Sequence, residues 1–113
     1  MEVGLFLDDP QRARSVSSSD PHIVGVDRAV AEFDALSRVE GNFLGVVRDD
    51  GELLQFVWNG DGTLDVNAPR PAWNGSFTRR ASFAECRGLI ESFAAGLAVE
   101  AIPGIRFDGW PST

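Results

Sequence analysis

The strongest constraint on the fold lies in residues 42–58. Two runs, Asn42-Phe43-Leu44-Gly45-Val46-Val47-Arg48 and Leu53-Leu54-Gln55-Phe56-Val57-Trp58, flank Asp49-Asp50-Gly51-Glu52. Branched and aromatic residues on either side of an Asp-Gly pair spell a β-hairpin, because a two-residue type I′ turn needs positive φ at both central positions. With Asp50-Gly51 as the turn, Arg48 faces Leu53, Val47 faces Leu54, Gly45 faces Phe56 and Phe43 faces Trp58. One face then carries Phe43, Gly45, Val47, Leu54, Phe56 and Trp58, and is expected to meet helices. The other carries Leu44, Val46, Arg48, Leu53, Gln55 and Val57. It is only partly polar, so a loop or a partner is expected to cover it.

Further elements follow from the same periodicities. Residues 2–7 read as a short strand. Residues 8–22 are polar, serine-rich and nearly free of large apolar groups, which predicts a loop, mobile in character. Val26, Ala29, Val30, Phe33 and Leu36 recur at helical spacing and predict a helix from Asp27, as N-cap, to about Val39. Gly41 stands where a C-terminal glycine belongs. Asn59-Gly60-Asp61-Gly62 is a turn, and 63–67 alternates as a strand. Residues 68–75 hold two prolines and read as a loop, and Ser76–Ala81 as one more strand. Ser82 and Glu85 have the spacing of a capping box, and Phe83, Cys86, Ile90, Phe93 and Leu97 form a helical apolar stripe behind them. In the tail, Ile105, Phe107 or Trp110 is expected to pack back on the sheet. These elements predict a single α+β domain over 1–113: an antiparallel sheet of about four to five strands with two helices on one face. No internal repeat is visible.

Composition limits the chemistry. The chain has one histidine (His22) and one cysteine (Cys86), so disulfide frameworks and zinc sites of several Cys or His ligands are excluded. Cys86 lies on the apolar stripe of a helix, where a thiol is a small core residue rather than a nucleophile. Asn59-Gly60-Asp61-Gly62-Thr63-Leu64-Asp65 faintly resembles a calcium loop, but the position that would need a bidentate glutamate is Arg70. No metal and no cofactor is expected. No apolar run approaches the length of a membrane helix, and Met1-Glu2-Val3-Gly4 lacks the features of a signal peptide. The expectation is a soluble, cytoplasmic domain.

Charge is more informative. The net charge is −7 and all ten bases are arginine. Direct binding of a phosphate backbone is disfavoured, and a basic partner is favoured. Residues 40–65 hold Glu40, Asp49, Asp50, Glu52, Asp61 and Asp65 against Arg48 alone. The hairpin region is thus expected to be an acidic prow, with Asp49, Asp50, Glu52, Asp61 and Asp65 as candidate binding residues. Trp73, beside a proline-rich stretch, is expected to be exposed and to form an interface anchor with Arg70. Trp58 is expected in the core.

The order of elements carries a resemblance. A lead-in and one helix precede the segment 42–56; further strands, Gly75-Ser76-Phe77, the helix from Phe83 to Phe93 and a Trp-bearing tail follow. This layout over residues 23–110 resembles the small α+β immunity proteins of bacterial polymorphic toxin systems, and is most similar to the first-numbered immunity family. Members of that family often neutralise deaminase toxins that act on nucleic acid. The resemblance implies a non-enzymatic protein that binds a cognate toxin in the cytoplasm, as a monomer in a 1:1 complex. It would occlude the active site or a basic substrate groove. A different class of function remains open from the residues alone: a small ligand-binding or enzymatic α+β domain with a cleft between helices and sheet. An adaptor with no toxin partner is a third reading.

Overall fold

The computed structural model describes residues 1–111. The chain runs β1 (Glu2–Asp9), β2 (Arg14–Val16), β3 (His22–Gly25), α1 (Val26–Ala35), β4 (Phe43–Val47), β5 (Leu53–Trp58), β6 (Leu64–Arg70), β7 (Gly75–Ala81), α2 (Phe83–Ala94) and β8 (Arg106–Gly109). The strands form one antiparallel sheet in the order β2-β1-β4-β5-β6-β7-β8, and β3 also pairs with β1.

The α+β class and the two helices are as expected, but the sheet has eight strands rather than four to five. The additional strands are short. β2 has three residues, and β3 and β8 have four each, too few for an alternation to register in sequence. They form because β1 and β7 would otherwise present unpaired edges. β3 pairs with the first half of β1 and β2 with its last three residues.

The predicted polar loop 8–22 is therefore mostly structure. A 3-10 turn at Pro10–Arg12 links β1 to β2. The turn is tied down from inside the protein. Asp9 is fully buried and accepts from the Ser37 backbone N–H at 2.8 Å and from Asn42 Nδ2 at 3.3 Å. Asn42 Nδ2 also donates to Gln11 at 2.6 Å. The second proline-rich stretch is corrected in the same way. β6 runs on through Pro69 to Arg70, and only Pro71–Trp73 turns. Pro69 lies beyond Asn67, the last β6 residue paired with β5, so it falls where the strand has begun to edge the sheet. The two 3-10 turns share one geometry. Each closes with a left-handed residue, Ala13 at φ 51° and Asn74 at φ 52°, whose N–H donates to the turn's proline at 3.1 Å.

The central hairpin forms where expected, one residue out of the expected register. Val47 faces Leu53, Val46 faces Leu54 and Phe43 faces Val57. The connection is a three-residue loop, Asp49-Asp50-Gly51, closed by Gly51 N–H to Arg48 O at 3.0 Å and Arg48 N–H to Glu52 O at 2.9 Å. Only Gly51 has a positive φ, 84°. This is the type I turn with a following glycine bulge, which leaves Asp50 unstrained. The extra loop residue reverses β4. Leu44 and Val46 join Leu54, Phe56 and Trp58 in the core, while Phe43, Gly45 and Val47 move to the open face. Gly45 accepts the Phe6 ring there; a Cβ at Gly45 would stand 2.0 Å from that ring.

Both helices cover the face carrying Leu54, Phe56 and Trp58. Phe33 of α1 packs on Phe56 at 5.6 Å between ring centroids and stacks on Phe83 of α2 at 4.9 Å, and Phe83 stacks on Trp58 at 6.0 Å. Gly25, not Asp27, is the N-cap of α1; Asp27 sits in the first turn, where its charge still suits the helix dipole. The helix ends at Ala35, short of Val39. α2 starts as predicted: Glu85 N–H donates to Ser82 Oγ at 3.2 Å and Ser82 N–H to Glu85 Oε1 at 3.0 Å. Its last turn closes by Gly96 N–H to Phe93 O and Leu97 N–H to Ser92 O, with Gly96 at φ 108°. Trp58 and Cys86 are buried, as expected.

Candidate functional site

Antiparallel pairing decides which candidate residues meet. The β4–β5 turn, the end of β6 and the start of β7 all lie at one end of the sheet. Asp49, Asp50, Glu52, Arg70 and Trp73 therefore share that end. Asp61, in the β5–β6 turn, and Asp65, the second residue of β6 and paired with Val57, lie towards the other end of the six-residue β5, a separation of about 15–20 Å. The single acidic prow is thus split in two. At the far end both acids are locally engaged. Asp61 accepts from Thr63 Oγ1 at 2.6 Å and from Arg80 at 3.1 Å, and Asp65 accepts from Asn59 at 3.1 Å. The Thr63 hydroxyl, then its backbone N–H, holds the Asp61 pKa below the usual carboxylate value.

At the near end two guanidiniums act as pillars. Arg70 Nη1 donates to Glu52 at 2.6 Å and Nη2 to Glu100 at 3.2 Å. Its Cζ lies 5.8 Å from the Trp73 ring centroid and 5.4 Å from that of Phe77. Arg70 is only 13% exposed along its side chain. It is a covered support, not the exposed half of an anchor pair. Arg48 does similar work for α2. It caps the Phe93 and Leu97 carbonyls at 3.0 and 2.8 Å, lies 4.3 Å from the centre of the Phe93 ring, and pairs with Asp50 at 3.1 Å. The Asp50 pKa is held low, first by the backbone N–H of Glu52 and then by Arg48.

Trp73 stands out from this scaffold at 54% exposure, as predicted. It packs edge-on to Phe77 at 5.9 Å and against Phe107 at 6.0 Å, and those two rings meet each other at 5.5 Å. The predicted packing of the tail explains this: β8 places Phe107 opposite Phe77. Trp110 is anchored through its backbone, donating to Asn74 O at 2.8 Å. Phe107 and Trp110 remain 42% and 41% exposed. Sequence reading placed the tail on the sheet but did not assign Phe77, Phe107, Trp110 or Glu100 to a site. The signal was available in the two aromatics of the tail, Phe107 and Trp110, but the pairing that sets Phe107 beside Phe77 and Trp73 is long-range.

The result is a surface with an aromatic crest, Trp73, Phe107 and Trp110, beside the Glu52 and Glu100 carboxylates that Arg70 holds; Asp49 and Asp50 lie at the same end of the sheet, in the β4–β5 turn. Fixed aromatic side chains rimmed by charge are what protein interfaces use as anchors. Completing the burial of Trp73 against a partner would be worth about 3 kcal/mol.

The other candidate chemistries are placed as follows. His22 is exposed on β3, whereas Cys86 is buried in α2, where desolvation pushes its pKa up to about 12. Among the described residues no group of three or more His, Cys, Asp or Glu side chains converges to hold a metal ion. The space between helices and sheet is occupied by Phe33, Phe56 and Phe93, all fully buried. No helix is long and apolar enough to cross a membrane among the described residues. Comparison with known proteins finds no matching family model, no matching curated relative and no matching solved structure.

Proposed function

We propose that this protein is an immunity protein: a binding protein that neutralises a cognate bacterial toxin by covering its active site or substrate groove. The observation that carries this reading is Trp73, held half-exposed by Arg70 and two further rings, beside a cluster of carboxylates. An aromatic anchor supplies affinity, and the adjacent acids supply attraction for a basic surface. A toxin that acts on nucleic acid, such as a deaminase, needs a basic groove for its substrate, so an acidic, aromatic surface complements it. The layout resemblance to immunity proteins supports the same reading. The protein would act in the cytoplasm of the producing cell, as a monomer in a 1:1 complex burying at least about 1,200 Å2.

The test is co-expression with the product of the neighbouring upstream reading frame, followed by affinity purification and a growth assay. A stable complex, with growth restored by the native chain and tenfold or more weaker binding by Trp73→Ala, is the expected result. A neighbour that is harmless alone, or that does not bind, overturns the immunity reading. Full affinity in a folded Trp73→Ala variant overturns the choice of surface.

A further inference from the structure

The open face of the sheet holds a second feature, apart from the Trp73 surface. A groove of about 420 Å3 lies over the start of β1, between β3 and β4. Its floor is Gly4, which pairs with Ile23 on one side and Val47 on the other. The missing side chain makes the hollow: a Cβ at Gly4 would stand 3.2 Å from Pro21 and 3.5 Å from Val47. Ile23 forms one wall and is 68% exposed, unusual for an isoleucine in a strand. The same register carries Glu2 towards Asp49, and both line the groove. Arg48 lines it too, but its guanidinium is committed to Asp50 and to the last carbonyls of α2. Glu2 and Asp49 are left with no ion pair among the described residues.

We infer that this groove takes an arginine or lysine side chain from a protein partner. The aliphatic stem lies over Gly4 between Ile23 and Val47, and the charged head lies between Glu2 and Asp49. Long basic side chains are built this way, a hydrocarbon stem ending in a cation. A purely apolar occupant would bury two carboxylates without partners, which is costly. An anion would add a like charge to a protein of net charge −7. The inference deepens the proposed binding role by naming what the partner offers, and it rests on that reading for the source of the side chain. The chemistry of the groove stands separately.

The test uses backbone-amide NMR spectra of the full chain with acetyl-triarginine amide as the probe and its neutral citrulline analogue as control. Saturable shifts at Gly4, Ile23, Val47 and Asp49 are expected with triarginine only. The dissociation constant should rise at least tenfold in the Glu2→Gln, Asp49→Asn double variant. Both positions are polar and solvent-facing, so the spectrum itself reports that the variant folds. Equal binding of the citrulline peptide, equal binding by the double variant, or shifts spread over the Asp61 and Asp65 end would overturn the inference. Concentration-dependent shifts at the groove without peptide would assign it to a second copy of this chain and also overturn it. The toxin reading is judged by co-expression, so loss of that reading leaves triarginine binding intact, and failure of the groove leaves the toxin complex intact.

Discussion

Arg70 shows how a charged side chain can serve the fold as a covered support. Arg70, expected to form an interface anchor with Trp73, is mostly covered and holds Glu52, Glu100 and two aromatic rings in place. Replacing it with alanine should cost roughly 2 kcal/mol of stability, because two carboxylates lose their partner and two rings lose their support. Lysine should restore only part, since an ammonium lacks the planar fork that reaches both carboxylates. Urea unfolding of the two variants measures this. Glu32 gives a pH prediction. Burial works to raise its pKa, but Arg14 at 2.7 Å and Arg28 at 3.2 Å outweigh it, so the net shift is downward. A carboxyl with a depressed folded pKa contributes stability above its unfolded pKa and loses it as pH falls through the folded value. The urea midpoint should therefore hold from pH 7 to 5 and fall below about 4, and Glu32→Gln should flatten that acid limb.

At the scale of elements, local signals succeeded where the physics is local. The capping box of α2 forms with both reciprocal hydrogen bonds, and Ser82→Ala should cost about 1 kcal/mol, seen as a lowered thermal midpoint. The stripe Cys86, Ile90, Phe93 is buried as its spacing requires. The hairpin was legible as a hairpin, but not its register. Asp49-Asp50-Gly51 satisfies a two-residue turn and a three-residue turn almost equally well on paper. The latter needs only Gly51 at positive φ, and it turns Leu44 and Val46 to the helix side instead of Phe43, Gly45 and Val47. Packing settles the choice rather than the turn: Leu44 and Val46 meet the helices, and Gly45, on the other face, leaves the room that the Phe6 ring fills. β2, β3 and β8 were invisible for a related reason: strands of three or four residues draw their stability from the edge they join.

At the scale of the whole molecule, charge is distributed in two places. Acids that lie close together along residues 40–65 are held apart by the sheet. Only the end with Asp49, Asp50 and Glu52 adjoins Trp73. Charge reversal there should matter for association, and reversal at the other end should not. Asp49→Arg is expected to slow association with the partner several-fold at low salt and to reduce its salt dependence, whereas Asp61→Arg leaves both nearly unchanged. Stopped-flow rates across ionic strength distinguish them. Equal effects at the two ends would mean that net charge alone steers the encounter.

By itself, the sequence determined the α+β class, the two helices with their apolar stripes, the central hairpin, the burial of Trp58 and Cys86, and the exposure of Trp73. Each of these follows from residues within one or two turns of chain, where periodicity, capping and solvation act without reference to the rest. The tertiary structure decided the strand count, the register of the hairpin, the burial of Arg70, the separation of Asp61 and Asp65 from the other acids, and the gathering of Phe77 and Phe107 around Trp73. These depend on which strand lies beside which. That order is set by closing distant segments into one core, a cooperative choice that no local window contains.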